Sequence, residues 1–281
     1  MRKGNRKQLR FDTEKNVRSL RFKRFAAAFS CFFILLAGIS FLLLLSHYDF
    51  DLSSITSPES EQTTEVETTL PPAPQVEGVR SYLLFSTADS SNTVRFAAIV
   101  TADMNSKSLT VKGLDTSAVV AVTGCTGTFE QQLDYGGNPQ LVLAAEKLSG
   151  ISIDKFVRST DSKFKSIINY VGGIEATVEK AIDIRTPELT AIIAAGKQTM
   201  TGDTTLKYMR SFEGQPQKQA ELISSMIEQK LTAANLTKAD SYYTKIINLA
   251  ESDISVVDFA SMKRSFEALL YDNRSVTVTV S

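Results

Sequence analysis

Phe25 to Leu45 is an unbroken run of 21 uncharged, mostly apolar residues. As a helix it would be about 32 Å long, enough to cross the hydrocarbon core of a bilayer. Ten lysines and arginines precede it, from Arg2 to Arg24, against only Asp12 and Glu14. Asp49, Asp51, Glu59 and Glu61 follow it. The asymmetry predicts one transmembrane helix over 25–46, with a basic cytoplasmic tail (1–24) and an extracytoplasmic C-terminal region. A cleaved leader is the alternative. The basic region is too long for one, the apolar run exceeds an h-region, and no A-x-A-like site precedes Ser46, so an uncleaved signal-anchor in the cell membrane is the reading. The tail is placed to meet anionic lipid and is too short for a nucleic-acid-binding fold.

The formal charge of zero hides two unlike parts, about +8 before the span and about −8 after it. Cys31 lies in the span and Cys125 beyond it, so the two cannot pair. His47 is the only histidine and sits at the membrane edge. A histidine zinc site or a Ser-His-Asp triad in the external region is therefore excluded by inventory.

Residues 47–79 are rich in Ser, Thr, Glu and Pro and bury too little apolar surface to fold; they read as a flexible stalk. From residue 80 to 281, strand and helix periods alternate. Val94–Thr101 and Ser108–Lys112 suggest a hairpin turning at Met104–Lys107. Helices are expected over 139–148, 161–171, 217–234 and 258–270, with strands at 82–85, 154–160, 175–178 and 275–280. The expectation is one α/β domain with a mixed central sheet covered by helices.

Three segments within 80–281 carry a resemblance. The first is Leu133-Asp134-Tyr135-Gly136-Gly137, followed by a helix that leads to Ile153-Asp154-Lys155-Phe156. The second runs from Phe164 through Asn169-Tyr170-Val171-Gly172-Gly173 to Val178, where glycines must turn a helix directly into a strand. The third runs from Gly196-Lys197-Gln198 through Gly202-Asp203-Thr204 to Arg210-Ser211-Phe212, then Gln217-Lys218-Gln219. In this order, behind an anchor and stalk, they resemble the LytR-CpsA-Psr (LCP) family.

The resemblance implies a phosphotransferase of cell-wall biogenesis that moves a glycopolymer from a polyprenyl-pyrophosphate carrier to peptidoglycan. It implies Mg2+ held by carboxylates, cations on the pyrophosphate, and an apolar tunnel for the lipid. Carried over residue by residue, it makes Asp115 and Arg210 catalytic and Asp89 and Asp115 the metal ligands. Arg210, Lys218 and Gln219 become the pyrophosphate site.

Several positions depart from the family pattern. Leu114 stands for an arginine, Thr128 for a lysine and Asn92 for an aspartate; Gln215 and Lys218 replace two arginines, and Phe212 a third. A benzyl ring cannot make the bidentate fork of a guanidinium. Arg95, Lys112 and Arg158 are further cations that could serve.

Plainer roles stand beside these. Asp115 suits an Asx-type turn, Asp89 a loop, Arg210 a surface pair with Glu213, and Gln219 a solvated helix face. Two functions are expected on these residues: a divergent transferase with a weakened site, or a catalytically inactive module that binds a lipid-linked intermediate or a protein partner in wall assembly.

Overall fold

The structure, a computed structural model, describes residues 77–271 and 277–281. The expected basic tail, membrane span and all but the last residues of the stalk lie outside the described residues. Among the described residues, no helix is long and apolar enough to cross a membrane.

The chain enters on β1 (Val79–Thr87), returns on β2 (Val94–Asp103) and turns again into β3 (Ser108–Gly113). The β2–β3 hairpin expected from the sequence is present, with Asp103 opposite Ser108. β4 (Val120–Val122) and β5 (Cys125–Gly127) make a small hairpin before helix α1 (Phe129–Ser149). β6 (Lys155–Thr160) lies parallel to β1, and α2 (Asp161–Tyr170) follows without a loop. β7 (Ile174–Val178), β8 (Ile182–Arg185), β9 (Thr190–Ile193) and β10 (Gly196–Met200) form two separate hairpin-like pairs, β7 with β10 and β8 with β9.

Then come α3 (Gly202–Arg210), α4 (Pro216–Lys230), α5 (Ala233–Leu236) and α6 (Ala239–Ile247). The chain closes with β11 (Glu251–Ser252), α7 (Val256–Leu269) and β12 (Thr277–Val280). The central sheet has six strands in the order β11-β6-β1-β2-β3-β12, with parallel and antiparallel neighbours. This is the mixed α/β sheet that the sequence predicts.

Alternation along the strands gives the sheet two apolar faces. Leu83, Phe85, Ala97 and Ile99 pack with Leu141, Ala144 and Ala145 of α1. Phe96, Ala98, Val100 and Val111 pack on the other face with Phe164, Ile168, Met209, Ala220 and Ile223. Each fully buried side chain of this size contributes about 1.5–3 kcal/mol, so both layers are needed to close the domain.

Two glycine positions shape it. Gly172 and Gly173 both take positive φ, 84° and 74°, as the helix-to-strand turn demands. A Cβ on Gly113 would meet the Pro216 carbonyl oxygen at 2.0 Å, so glycine there lets α4 start against the end of β3.

The helix expected over 139–148 begins ten residues earlier, at Phe129, and passes a kink where Gly136 and Gly137 leave helical geometry. The helix expected over 217–234 breaks after Lys230, where Leu231 has ψ 79°, and resumes as α5.

Candidate functional site

The C-terminal ends of β1 and β6 carry a cluster of charged side chains, assembled by a β-bulge. Ser86 pairs with Phe96 and Thr87 with Val94, so Arg95 is the unpaired extra residue. A bulge re-aims a side chain. Here Arg95 is brought to Asp161, the first residue of α2, with Nε 3.3 Å from Oδ2. Its Nη1 lies 3.7 Å from Oε1 of Glu213. The same Glu213 oxygen accepts from Nε of Arg210 at 3.0 Å, and Arg210 Nη2 donates to the Glu188 carbonyl at 2.8 Å. The Arg95, Arg210 and Asp161 side chains are only 19, 12 and 14 % exposed.

Two buried polar atoms without a hydrogen-bond partner among the described residues, Ser86 Oγ and Asp161 Oδ1, lie at this end of the sheet. An orphaned buried oxygen costs about 1–3 kcal/mol, so their presence marks a place where polar partners are missing. Burial pushes the Asp161 carboxyl up, against the opposing pull of Arg95 and Arg210. Asp89 is close by: its Oδ1 accepts from the Ser162 amide at 2.9 Å, and that bond holds its carboxyl below the usual range. Asp89 is thus fixed at the N-terminus of α2 and electrostatically coupled to Asp161.

Gln219 is buried, 3 % exposed, not solvated as its place on a helix suggested. Its Nε2 donates to the Arg95 carbonyl at 3.1 Å and to the Met209 carbonyl at 3.4 Å. It ties the bulge to the last turn of α3, and so positions both arginines.

The remaining expected residues make other contacts, although Asp115 follows Leu114, whose amide donates to the Ala97 carbonyl at 2.9 Å near Arg95, and Lys218 adjoins Gln219. Asp115 is exposed and accepts from the Ser117 amide and hydroxyl at 3.0 and 2.6 Å. It forms the Asx-type turn, and none of its hydrogen bonds reaches Arg95, Arg210 or Asp161. Lys218 pairs with Glu221 at 2.8 Å along α4. Lys112 donates to the Ser149 carbonyl at 3.1 Å. Arg158 is held on the α1 side by Asn92 at 2.8 Å, Asn138 at 3.3 Å and Glu251 at 3.5 Å. Of the three additional cations, Arg95 alone meets Arg210.

The departing positions have structural duties. Leu114 is buried in the α1-side core. Thr128 is the N-cap of α1, and its amide donates to Gln131 Oε1 at 2.9 Å. Asn92 links Arg158 to Asp134, donating to the latter at 2.7 Å. Phe212 packs edge-on against Tyr208, centroids 4.9 Å apart.

Farther along the arginine face of the sheet runs an apolar channel. One cavity of about 330 Å³ has Tyr82, Leu84, Val100 and Ala102 of the sheet in its wall. Another of about 260 Å³ lies among α5, α6 and α7. Val157, Leu231, Ile254, Met262 and Phe266 line both. Val157 and Asp161 are four residues apart, about 13 Å along an extended chain. Tyr243 and Phe259 stack at 4.1 Å where α6 meets α7 in the second cavity.

Among the described residues, no group of three or more His, Cys, Asp or Glu side chains converges as a metal cage. Asp89 and Asp161, whose Oδ1 is buried and unpartnered, are donors of the hard-oxygen kind. Magnesium commonly takes one or two such carboxylates and completes its shell with water and substrate phosphates, so these residues fit that mode.

Comparison with known proteins agrees with this architecture. The LytR_cpsA_psr family profile matches residues 87–278. The polyisoprenyl-teichoic acid–peptidoglycan teichoic acid transferase TagV of Bacillus subtilis is 23% identical over 196 residues, 64% of this chain and 50% of TagV. The cell wall biosynthesis protein LcpA of Corynebacterium glutamicum is 29% identical over 115 residues, 38% of this chain and 22% of LcpA. The chain thus spans about half or less of the length of these relatives. The crystal structure of B. subtilis TagV superposes with a TM-score of 0.59 at 20% identity, covering 73% of this chain and 85% of that one. A structure from Eubacterium siraeum described as a transcription regulator gives 0.66 at 22% identity, covering 80% and 89%. With its profile match extending over most of the domain, the chain belongs to the LytR_cpsA_psr (LytR-CpsA-Psr) family.

Proposed function

We propose that the protein is a membrane-anchored, extracytoplasmic transferase that moves a glycopolymer from a polyprenyl-pyrophosphate carrier to peptidoglycan. The observation that carries this reading is the convergence of Arg95 and Arg210 on the sheet face that also bears the apolar channel. Two guanidiniums on the same sheet face as an apolar groove suit a pyrophosphate joined to a long hydrocarbon. Arg95 supplies a cation that the family pattern places elsewhere. Residues 25–46 would anchor the chain where such lipids reside.

In the reaction, an acceptor hydroxyl oxygen of peptidoglycan forms a bond to the glycopolymer-bearing phosphorus. The bond from that phosphorus to the bridging oxygen breaks, polyprenyl phosphate leaves, and the hydroxyl proton passes to solvent. Arg95 and Arg210 would orient the pyrophosphate and neutralise charge developing on it. Asp89, with Asp161, would hold magnesium, which supplies further charge neutralisation when bound.

A second reading has its own support. Glu213 and Asp161 already occupy both arginines, as expected of a module that binds lipid-linked material or a protein partner without turnover.

The test incubates full-length protein in detergent with a polyprenyl-pyrophosphate glycan, magnesium and peptidoglycan. Phosphate-linked product that disappears in Arg95→Ala and Arg210→Ala supports the transferase. Lipid retention without product favours the binding module, and absence of both overturns either reading.

A further inference from the structure

We propose that a second cleft, between the β7–β8 turn and the flank of α3 and α4, binds an uncharged saccharide ring. The cleft measures about 450 Å³, within the range of small-molecule sites. One wall is the Tyr208–Phe212 pair, its rings meeting at 64°. Glu179 and Lys180 of the β7–β8 turn, and Lys218 with Glu221 of α4, also line it.

The charges decide the ligand class. Two lysines and two glutamates cancel, so this cleft does not gather anions as a guanidinium pair does. Lys218 and Glu221 already satisfy one another at 2.8 Å. Among the described residues, Glu179 and Lys180 make no ion pair or side-chain hydrogen bond and the Tyr208 hydroxyl makes no hydrogen bond, while Glu179 lies close enough to Lys218 and Tyr208 to act on both electrostatically. Burial holds the Tyr208 phenol above its usual value, which keeps it a neutral donor and acceptor.

A purely apolar ligand would strip water from these groups without replacing it. A phosphate would face Glu179 and Glu221. A pyranose ring satisfies both demands, with a C–H face for the aromatic wall and a rim of hydroxyls for the polar groups. In this setting Phe212 is an aromatic platform at a position where the family pattern has an arginine.

The inference rests on the proposed glycopolymer role only for the origin of the saccharide, which is either the transferred polymer or the wall glycan. The test is saturation-transfer-difference NMR on the full-length protein. Two probes are used: an N-acetylglucosamine tetramer standing for the wall glycan, and a neutral hexose tetramer standing for the polymer. Pyrophosphate binding is measured in parallel by calorimetry.

Saturation transfer to at least one probe is expected, and the preferred probe identifies the source. Phe212→Ala should weaken binding about tenfold, and Tyr208→Phe, which keeps the ring and its packing, about threefold. Pyrophosphate binding should be unchanged in both. Absence of saturation transfer to either probe, or wild-type binding in both variants, overturns the saccharide site. The pyrophosphate arm then shows whether the phosphate reading survives on its own.

Discussion

Gln219 donates through Nε2 to the backbone carbonyl of Arg95 at 3.1 Å, so a residue on α4 fixes the bulge that delivers a cation from β2. The same amide reaches the Met209 carbonyl, one residue before Arg210. Gln219→Met keeps the volume and removes the donor. It should cost about 1–3 kcal/mol in urea unfolding, because buried carbonyls lose a partner. It should also weaken pyrophosphate binding about tenfold by loosening both arginines. Lost stability with wild-type pyrophosphate affinity would leave Gln219 a structural residue only.

Glu213 competes with any anion for the two guanidiniums it pairs with. Its side chain is 45 % exposed, and such pairs contribute little, about 0–1 kcal/mol, to stability. Glu213→Gln should therefore melt within about 4 °C of the wild type while binding pyrophosphate several-fold more tightly. Calorimetric titration reads this directly. Weaker binding would mean that Glu213 orients the arginines and does not block them.

Asp161 carries a pH dependence whose sign follows from its burial. Its folded pKa is raised, so the native state binds more protons than the unfolded chain between the unfolded value, 3.8, and the higher folded one. The stability it contributes is complete below 3.8 and is lost as pH rises through the folded value. Asp161→Asn should then be more stable than the wild type at pH 7, with the advantage shrinking on acidification and gone below about 3.8. Thermal melts across pH 3–7 measure it. A variant less stable at pH 7 would show that the Arg95 ion pair outweighs desolvation.

The parts of this fold that were legible in the sequence are those with local signals. The β2–β3 hairpin, the Gly172-Gly173 turn and the apolar face of α4 each follow from period and turn chemistry over a few residues. The start of α1 was missed because Gly136, Gly137 and Pro139 read as a break, whereas the helix bends through them. The short strands from β8 to β10 carry weak alternation and were not expected as a set.

The site was less legible. Arg210 could be named from its motif, but Arg95 reaches it only through a bulge set by pairing with β1, and no local pattern announces that. Gln219 looked solvated because its partners, the Arg95 and Met209 carbonyls, are backbone atoms distant in sequence. Asp161 read simply as a helix start; its second role depends on the register of β6 against β1.

Met262 lies in the wall shared by both channel cavities, in a chain that contains no tryptophan. Met262→Trp therefore places a single indole reporter in the channel of the full-length protein. Prenyl phosphates of increasing length should shift its emission to the blue as water leaves the groove. Each buried carbon contributes about 0.8 kcal/mol, so each added five-carbon isoprene should tighten binding, by up to about a thousandfold when fully buried, until the channel is full. Affinity should then level off, because further carbons remain outside the groove. Binding that ignores chain length would separate the channel from the phosphate site and remove the hydrocarbon half of the proposed substrate. A plateau reached with the shortest prenyl chains would instead limit the channel to a short apolar anchor and shift the recognition of the carrier onto Arg95 and Arg210.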